Sequence, residues 1–363
     1  MNPLLEILQQ GQSIWLDLLD RNMMDSGKLQ SLIDDDGLRG VTSNPAIFEK
    51  AISNSSDYDD DLAKISEGKE DNEAIFFELA VKDIQRAADF FEPIYKETEG
   101  QDGFVSLEVS PFLARDTQGT VEQARELWNK VDRKNVMIKI PGTKEGLPAI
   151  RQCIGEGINI NVTLLFGLPR YKEVTDAYLS GLEDRLNDGK PIGGVASVAS
   201  FFLSRIDVMV DPMLEAKGLD DLKGEVAIAS AKKAYQIYKD VFSSDRFKNL
   251  EERSAKPQRV LWASTSTKDP SFSDVKYVEA LIGPETVNTL PMDTLDAFRD
   301  HGKVANRLTE NMEHADKIMQ RLKENDIDID KITQNLVDEG IEKFNKPFNK
   351  LLDGIETQKS KMA

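Results

Sequence analysis

The sequence predicts a closed (β/α)8 TIM barrel with additional helices, and three observations carry the prediction. Eight short apolar runs, bounded by chain breakers, alternate with helical patterns. No internal repeat and no long Pro/Gly/Ser linker divides the 363 residues. One barrel domain spanning 1–363 is therefore expected, with a helical C-terminal region from about 303 to 363. Polar residues that fit poorly in apolar runs fall at or near the strand ends, and a barrel builds its active site at the C-terminal ends of its strands.

In chain order, residues 4–10 have the pattern of a short helix, and residues 13–17 that of a first strand ending on Asp17. The next helix is expected to begin near Ser26, and Asp17 can be either its cap or a site carboxylate. Residues 38–42 form a second strand, followed by the turn signal Ser43-Asn44-Pro45. Thr42, Ser43 and Asn44 can bind a polyol or cap the next helix. Residues 58–96 give the longest helical stretch, with Ile75, Phe76, Leu79, Ile84, Ala87 and Phe91 on one core-facing side.

Residues 104–109 are a third strand, in which Glu108 is out of place among apolar neighbours. Thr120 and Gln123 form a capping-box pattern that opens a helix through Ala124, Leu127, Trp128 and Val131. Residues 136–140 are the fourth strand, and Leu147, Ile150 and Ile154 continue as a helix. The fifth strand, 158–165, places Asn159, Asn161 and Thr163 on one face by parity. An amphipathic helix follows over 170–187. Residues 193–198 make a sixth strand of small residues, and residues 200–205 open a helix. Residues 222–242 form a helix with an alanine-rich face. The seventh strand, 259–263, leads into a hydroxyl-rich loop ending at Lys268, and 285–290 is the eighth.

Composition narrows the function. The net charge of −18 argues against non-specific nucleic-acid binding and against an anionic membrane surface. It leaves room for a small anionic substrate held by a few local cations. Cys153 is the only cysteine, which fits a reducing compartment, and the start of the chain lacks a secretory leader pattern. No apolar run is long enough to span a bilayer. A cytoplasmic location is expected. With only His301 and His314, a Ser-His-Asp hydrolase and a histidine metal site find little support. Neither a dinucleotide fingerprint nor a phosphate-binding P-loop is present.

The fourth strand, Val136-Met137-Ile138-Lys139-Ile140, has one lysine in an apolar run and a Pro-Gly turn behind it. Lysine is rarely buried without a partner. Lys139 can snorkel from a strand end, join a buried ion pair, or attack a carbonyl to form a Schiff base. In a barrel, Asp17 and Glu108 share its rim. A lysine with two carboxylates on one rim is a catalytic constellation.

Together these residues resemble the transaldolases. The resemblance rests on Asp17 ending the first strand, Val41-Thr42-Ser43-Asn44-Pro45, Ser106-Leu107-Glu108-Val109, Ile138-Lys139-Ile140-Pro141-Gly142-Thr143 and Asn161-Val162-Thr163-Leu164-Leu165-Phe166, in the family's order. It covers about residues 13–300, and the length is similar to the longer bacterial subgroup. It implies a (β/α)8 class I aldolase fold with no metal or organic cofactor. The implied reaction moves a dihydroxyacetone unit from sedoheptulose 7-phosphate to glyceraldehyde 3-phosphate, giving erythrose 4-phosphate and fructose 6-phosphate. These belong to the non-oxidative pentose phosphate pathway.

The resemblance also implies roles. Lys139 forms the Schiff base, and Asp17 exchanges the proton of the hydroxyl beside the bond that breaks. Glu108 and Thr163 position the water of Schiff-base formation and hydrolysis. Thr42, Asn44, Asn161 and Ser200 hold donor hydroxyls, Phe202 walls the pocket, and Arg205 binds the phosphate. One departure stands out. The loop after the seventh strand has no second phosphate arginine, and Lys268 is expected to replace it as a point charge. The alternatives are an aldolase of the same fold that releases dihydroxyacetone, or a non-catalytic barrel. Monomer and homodimer both remain open.

Overall fold

The structure, a computed structural model, describes residues 2–53, 55–66 and 71–362. Eight parallel strands close into a barrel in sequence order. They are β1 (Gln12–Leu16), β2 (Gly40–Val41), β3 (Phe104–Glu108), β4 (Val136–Pro141), β5 (Ile160–Leu165), β6 (Ser197–Phe202), β7 (Arg259–Ala263) and β8 (Thr286–Leu290). The seam is a full five-residue ladder, from Gln12 opposite Thr286 to Leu16 opposite Leu290. Among the described residues no helix is long and apolar enough to cross a membrane.

Strand parity sorts the core into two parts. Trp15, Phe104, Met137, Val198, Leu261 and Val287 are buried together inside the barrel. A larger cluster joins the outward-facing strand residues to the helices; it includes Ile14, Val105, Ile138, Ile160 and Val260, with Ile75, Leu79, Ile84 and Phe91 from the helix Asn72–Glu97. Further along the same inward parity come Asp17, Thr42, Ser106, Lys139, Asn161, Ser200 and Thr289, with Glu108 one step beyond Ser106. The apolar layer is thus the floor on which the polar residues stand. At the other end of the barrel, Arg259 and Asp102 form a buried ion pair at 2.8 Å, and Ser13 bonds both partners.

Several boundaries differ from expectation. The sixth strand lies four residues later than predicted, because Gly193 and Gly194 form a turn and have no side chains to pack on a pleated surface. Ser197 to Phe202 instead alternate Val198, Ser200 and Phe202 on the inner face. The helix expected from Ser200 starts at Ser204. Thr120 does not open its helix either. The Asp116 carboxylate caps at the Gly119 amide (3.0 Å), so the helix is Thr117–Val131. Thr120 then bonds the Leu113 carbonyl, and Gln123 accepts from the Ser110 amide.

The helix expected over 222–242 begins at Val226. The stretch expected over 58–96 consists of Asp59–Ser66 and Asn72–Glu97, the latter capped by Asp71; residues 67–70 lie outside the described residues. The longest helix is instead the C-terminal one, Ile329–Met362. It packs on the helix Pro45–Ser53, and thus on the face where the strands end.

Candidate active site

A cavity of about 280 Å³ opens at the C-terminal end of the strands. Nine expected site residues line it: Asp17, Thr42, Asn44, Lys139, Thr163, Ser200, Phe202, Arg205 and Lys268. Glu108 and Asn161 do not border it, but they are the lateral neighbours of Lys139 in the sheet, with Glu108 opposite Lys139 and Lys139 opposite Asn161.

Lys139 is 5% exposed. Its Nζ donates to the Ser43 carbonyl (2.9 Å) and lies 3.2 Å from Glu108 Oε2. Burial pushes the Glu108 carboxyl above the usual carboxylate range against the pull of the lysine, and the Asp17 charge adds to the rise. Burial likewise raises Asp17, against Lys139 and hydrogen bonds from Thr42 and Asn44. Two carboxylates with distinct surroundings therefore flank one buried amine, an arrangement that separates acid and base tasks.

Asp17 is not a helix cap. That task falls to Asp20, which accepts from the Met23 amide at 2.7 Å and opens the helix Arg21–Asp25. Asp17 instead accepts from Thr42 Oγ1 at 2.8 Å. Thr42 also bonds Thr289 across the seam at 2.7 Å. Asn44 both caps and faces the cavity, since its Oδ1 takes the Ile47 amide at 3.1 Å. Asn161 is fully engaged below the cavity; its amide donates to Ser106 Oγ (3.0 Å) and its Oδ1 accepts from Ser200 (2.7 Å). It thereby sets the orientation of a hydroxyl that does reach the cavity.

Thr163 Oγ1 is buried with no hydrogen-bond partner among the described residues, and Glu108 Oε2 has none beyond its ion pair. Buried polar atoms are nearly always satisfied, so both retain capacity for an oxygen beside Lys139. The backbone bends here. The β5–β6 register shifts between Val162 and Leu165, and Leu164 has a left-handed φ of 53°. Such irregularities re-aim side chains at functional sites.

Arg205 sits in the first turn of the helix Ser204–Ala216 that follows β6. Lys268, in the loop after β7, donates to Ser266 Oγ at 2.6 Å. Partial burial, then the charge of Arg205, lowers the Lys268 ammonium below its ordinary range, and the two cations line the same cavity. Phe202 packs on Phe166 with centroids 5.2 Å apart and walls this side.

Sequence reasoning missed three contributors. The Ser43 carbonyl is a backbone group and has no residue signature. Thr289 has the inward parity of β8, which could have identified it. Leu336, Gly340, Lys343, Phe344 and Pro347 of the C-terminal helix also line the cavity. Their spacing follows one helix face, but nothing in that pattern says what the face covers.

The site is thus a buried amine between two carboxylates at the strand ends of an eight-stranded parallel barrel, the place where such barrels carry their active sites. The transaldolase/fructose-6-phosphate aldolase family profile matches residues 14–355, and the chain belongs to that family. It is 49% identical to a transaldolase of Trichodesmium erythraeum, over 100% of this chain and 99% of the relative. A protein of Nostoc sp. named transaldolase 2 is also 49% identical, over 98% and 97%. A transaldolase of Saccharopolyspora erythraea is 47% identical, over 98% of both chains.

Proposed function

We infer that this protein is a transaldolase that carries a dihydroxyacetone unit from sedoheptulose 7-phosphate to glyceraldehyde 3-phosphate. The observation that best supports this reading is the buried Lys139, held between Glu108 and Asp17 in a cavity whose mouth carries Arg205 and Lys268. In this reading the unprotonated Lys139 amine attacks the ketose carbonyl, and water leaves as the Schiff base forms. Asp17 takes the proton of the hydroxyl beside the breaking C–C bond. The electron pair of that bond passes into the Schiff base, and the first aldose departs. The acceptor aldehyde then takes the carbon, Asp17 returns a proton to the new hydroxyl, and water releases the product.

Glu108 and Thr163 position the water of the first and last steps, which agrees with their uncommitted buried oxygens. Thr42, Asn44 and Ser200 hold donor hydroxyls, Asn161 acts through Ser200, and Phe202 shapes the wall. The barrel and the helices after residue 303 work as one domain. A cytoplasmic setting is supported by the single, buried Cys153. The net charge of −18 gives nucleic acid no role.

Product analysis with and without acceptor tests transfer against release. With fructose 6-phosphate alone, free dihydroxyacetone should accumulate only slowly. Adding erythrose 4-phosphate should produce sedoheptulose 7-phosphate rapidly. Equal dihydroxyacetone release in both reactions would identify an aldolase instead.

The phosphate is assigned to Arg205 and Lys268, at the part of a barrel rim that commonly builds phosphate sites. A charge-assisted hydrogen bond contributes roughly 1.5–3 kcal/mol, or about ten- to a hundredfold in binding. Arg205→Ala should weaken sugar phosphates by about that factor and affect unphosphorylated dihydroxyacetone far less. Arg205→Lys should rescue only part, because the planar fork is lost. Comparing kcat/KM for both substrate types decides the matter. Equal losses on both would mean that Arg205 holds the fold.

A further inference from the structure

The C-terminal helix Ile329–Met362 is seated on the cavity by close backbone approach. A Cβ on Gly340 would lie 2.9 Å from Leu164 Cδ2, and one on Gly167 would lie 2.7 Å from Thr333 Oγ1. A side chain at Gly340 would push the Leu164 tip aside, and one at Gly167 would displace the Thr333 hydroxyl. Leu164 directly follows Thr163, and the helix therefore touches the bend at the site itself. Phe348, fully buried, anchors the same helix edge-on against Phe76 at 5.5 Å and Phe112 at 5.2 Å.

This seating brings one more charge to the mouth. Lys343 is one helical turn from Gly340 and lines the same cavity as Arg205 and Lys268. Among the described residues it pairs with Glu339, at 2.8 Å, in an i,i+4 pair with both side chains about half exposed. Such pairs contribute only a few tenths of a kcal/mol, so a phosphate dianion can take the ammonium from its carboxylate. Lys139 is engaged by Ser43 and Glu108, which leaves Arg205, Lys268 and Lys343 as the cations facing outward into the cavity. Three cations at one mouth of a chain of net charge −18 make a local field that concentrates anions there.

We propose that Lys343 is a third ligand of the substrate phosphate, delivered by the C-terminal helix, and that Glu339 is its resting counter-ion. The proposal rests on the transaldolase reading and extends it to a residue outside the barrel. It makes the phosphate site a composite of the first turn of the helix after β6, the loop after β7 and one crossing helix. It also accounts for the missing arginine after β7, because three cations share the phosphate.

The test uses the full-length protein with Lys343→Gln, Lys343→Arg and Glu339→Gln. Inorganic phosphate is the probe, as competitor and in direct calorimetric binding. Lys343→Gln should raise KM for fructose 6-phosphate and weaken phosphate by about three- to thirtyfold, with a much smaller change in kcat. Lys343→Arg should recover most of the loss. Glu339→Gln should tighten phosphate by about twofold or more, because the competing carboxylate is gone. Borohydride trapping of dihydroxyacetone on Lys139 should change far less in Lys343→Gln than phosphate binding does.

Unchanged phosphate binding in Lys343→Gln overturns the proposal, as does an equal loss in dihydroxyacetone trapping. Phosphate binding that is unchanged or weaker in Glu339→Gln overturns the counter-ion assignment. Failure of the transaldolase reading has separate signatures: a folded wild-type protein that borohydride does not label at Lys139, or equal dihydroxyacetone release with and without acceptor.

Discussion

Borohydride added to the protein with fructose 6-phosphate will leave a three-carbon unit on Lys139 and on no other lysine. The cavity offers three lysines to a bound ketose, and they differ in their surroundings. Lys268 and Lys343 are solvent-exposed at the mouth, whereas Lys139 is 5% exposed beside Glu108 and the Ser43 carbonyl. Only at Lys139 can the imine be kept from bulk water while buried carboxylates handle its protons. Peptide mapping after reduction identifies the labelled residue. Lys139→Met should abolish the label and lower transfer by roughly 10⁴–10⁶-fold, as loss of a covalent nucleophile does.

Stability separates chemistry from folding in that variant. Lys139→Met leaves Glu108 buried without its cation, and a lone buried charge costs about 3–5 kcal/mol unless it takes a proton. Burial already raises the Glu108 carboxyl. The variant should therefore keep its stability below the ordinary carboxylate pKa and lose it progressively as the pH rises from there to the raised pKa of buried Glu108. A label on a different lysine, or none on the folded wild type, ends the assignment.

Asp17→Ala will still form the Schiff base at Lys139 but will cleave the C–C bond about 10²–10⁴-fold more slowly, the usual value of general acid–base assistance. Asp17 ends the first strand, lines the cavity and is coupled electrostatically to Lys139. Trapping with borohydride reads the first step, and release of aldose reads the second. The pH profile carries an independent sign. The base form of Asp17 is needed for cleavage, and burial raises its carboxyl. The acidic limb of cleavage should therefore lie above the ordinary carboxylate range, with the rate falling as pH drops through it. Wild-type turnover in Asp17→Ala would remove the residue from the mechanism.

Legibility in the sequence followed the range of the interactions. The run at 259–263, continuously apolar after Arg259, with Pro257 before it and a hydroxyl-rich loop behind it, is legible to the residue. Lys139 and Glu108 stood out because a charge in an apolar strand has a cost that local context makes visible. The sixth strand was misplaced because small residues carry little hydrophobic signal, so the Gly-Gly turn resembled a strand start. The capping box at Thr120 lost to a stronger local competitor, the Asp116 carboxylate. The engagement of Asn161 by Ser106 and Ser200 joins three strands, and the place of the C-terminal helix depends on contacts between residues such as Gly340 and Leu164, far apart in the chain. A single sequence does not display such pairings.

The seam between β1 and β8 bears on how the protein comes into being. Asp17 donates its backbone N–H to the Leu290 carbonyl at 2.8 Å, and Thr42 meets Thr289 across 247 positions of chain. On a ribosome, Lys139 emerges long before either of those partners exists. Pairings this distant are also slow to form, because loop closure must precede any reward from contact. From residue 139 to residue 289 the nascent chain thus carries Lys139 without the β8 residue that meets Thr42 across the seam. The ring of strands around Lys139 is complete only when the last strand pairs with the first.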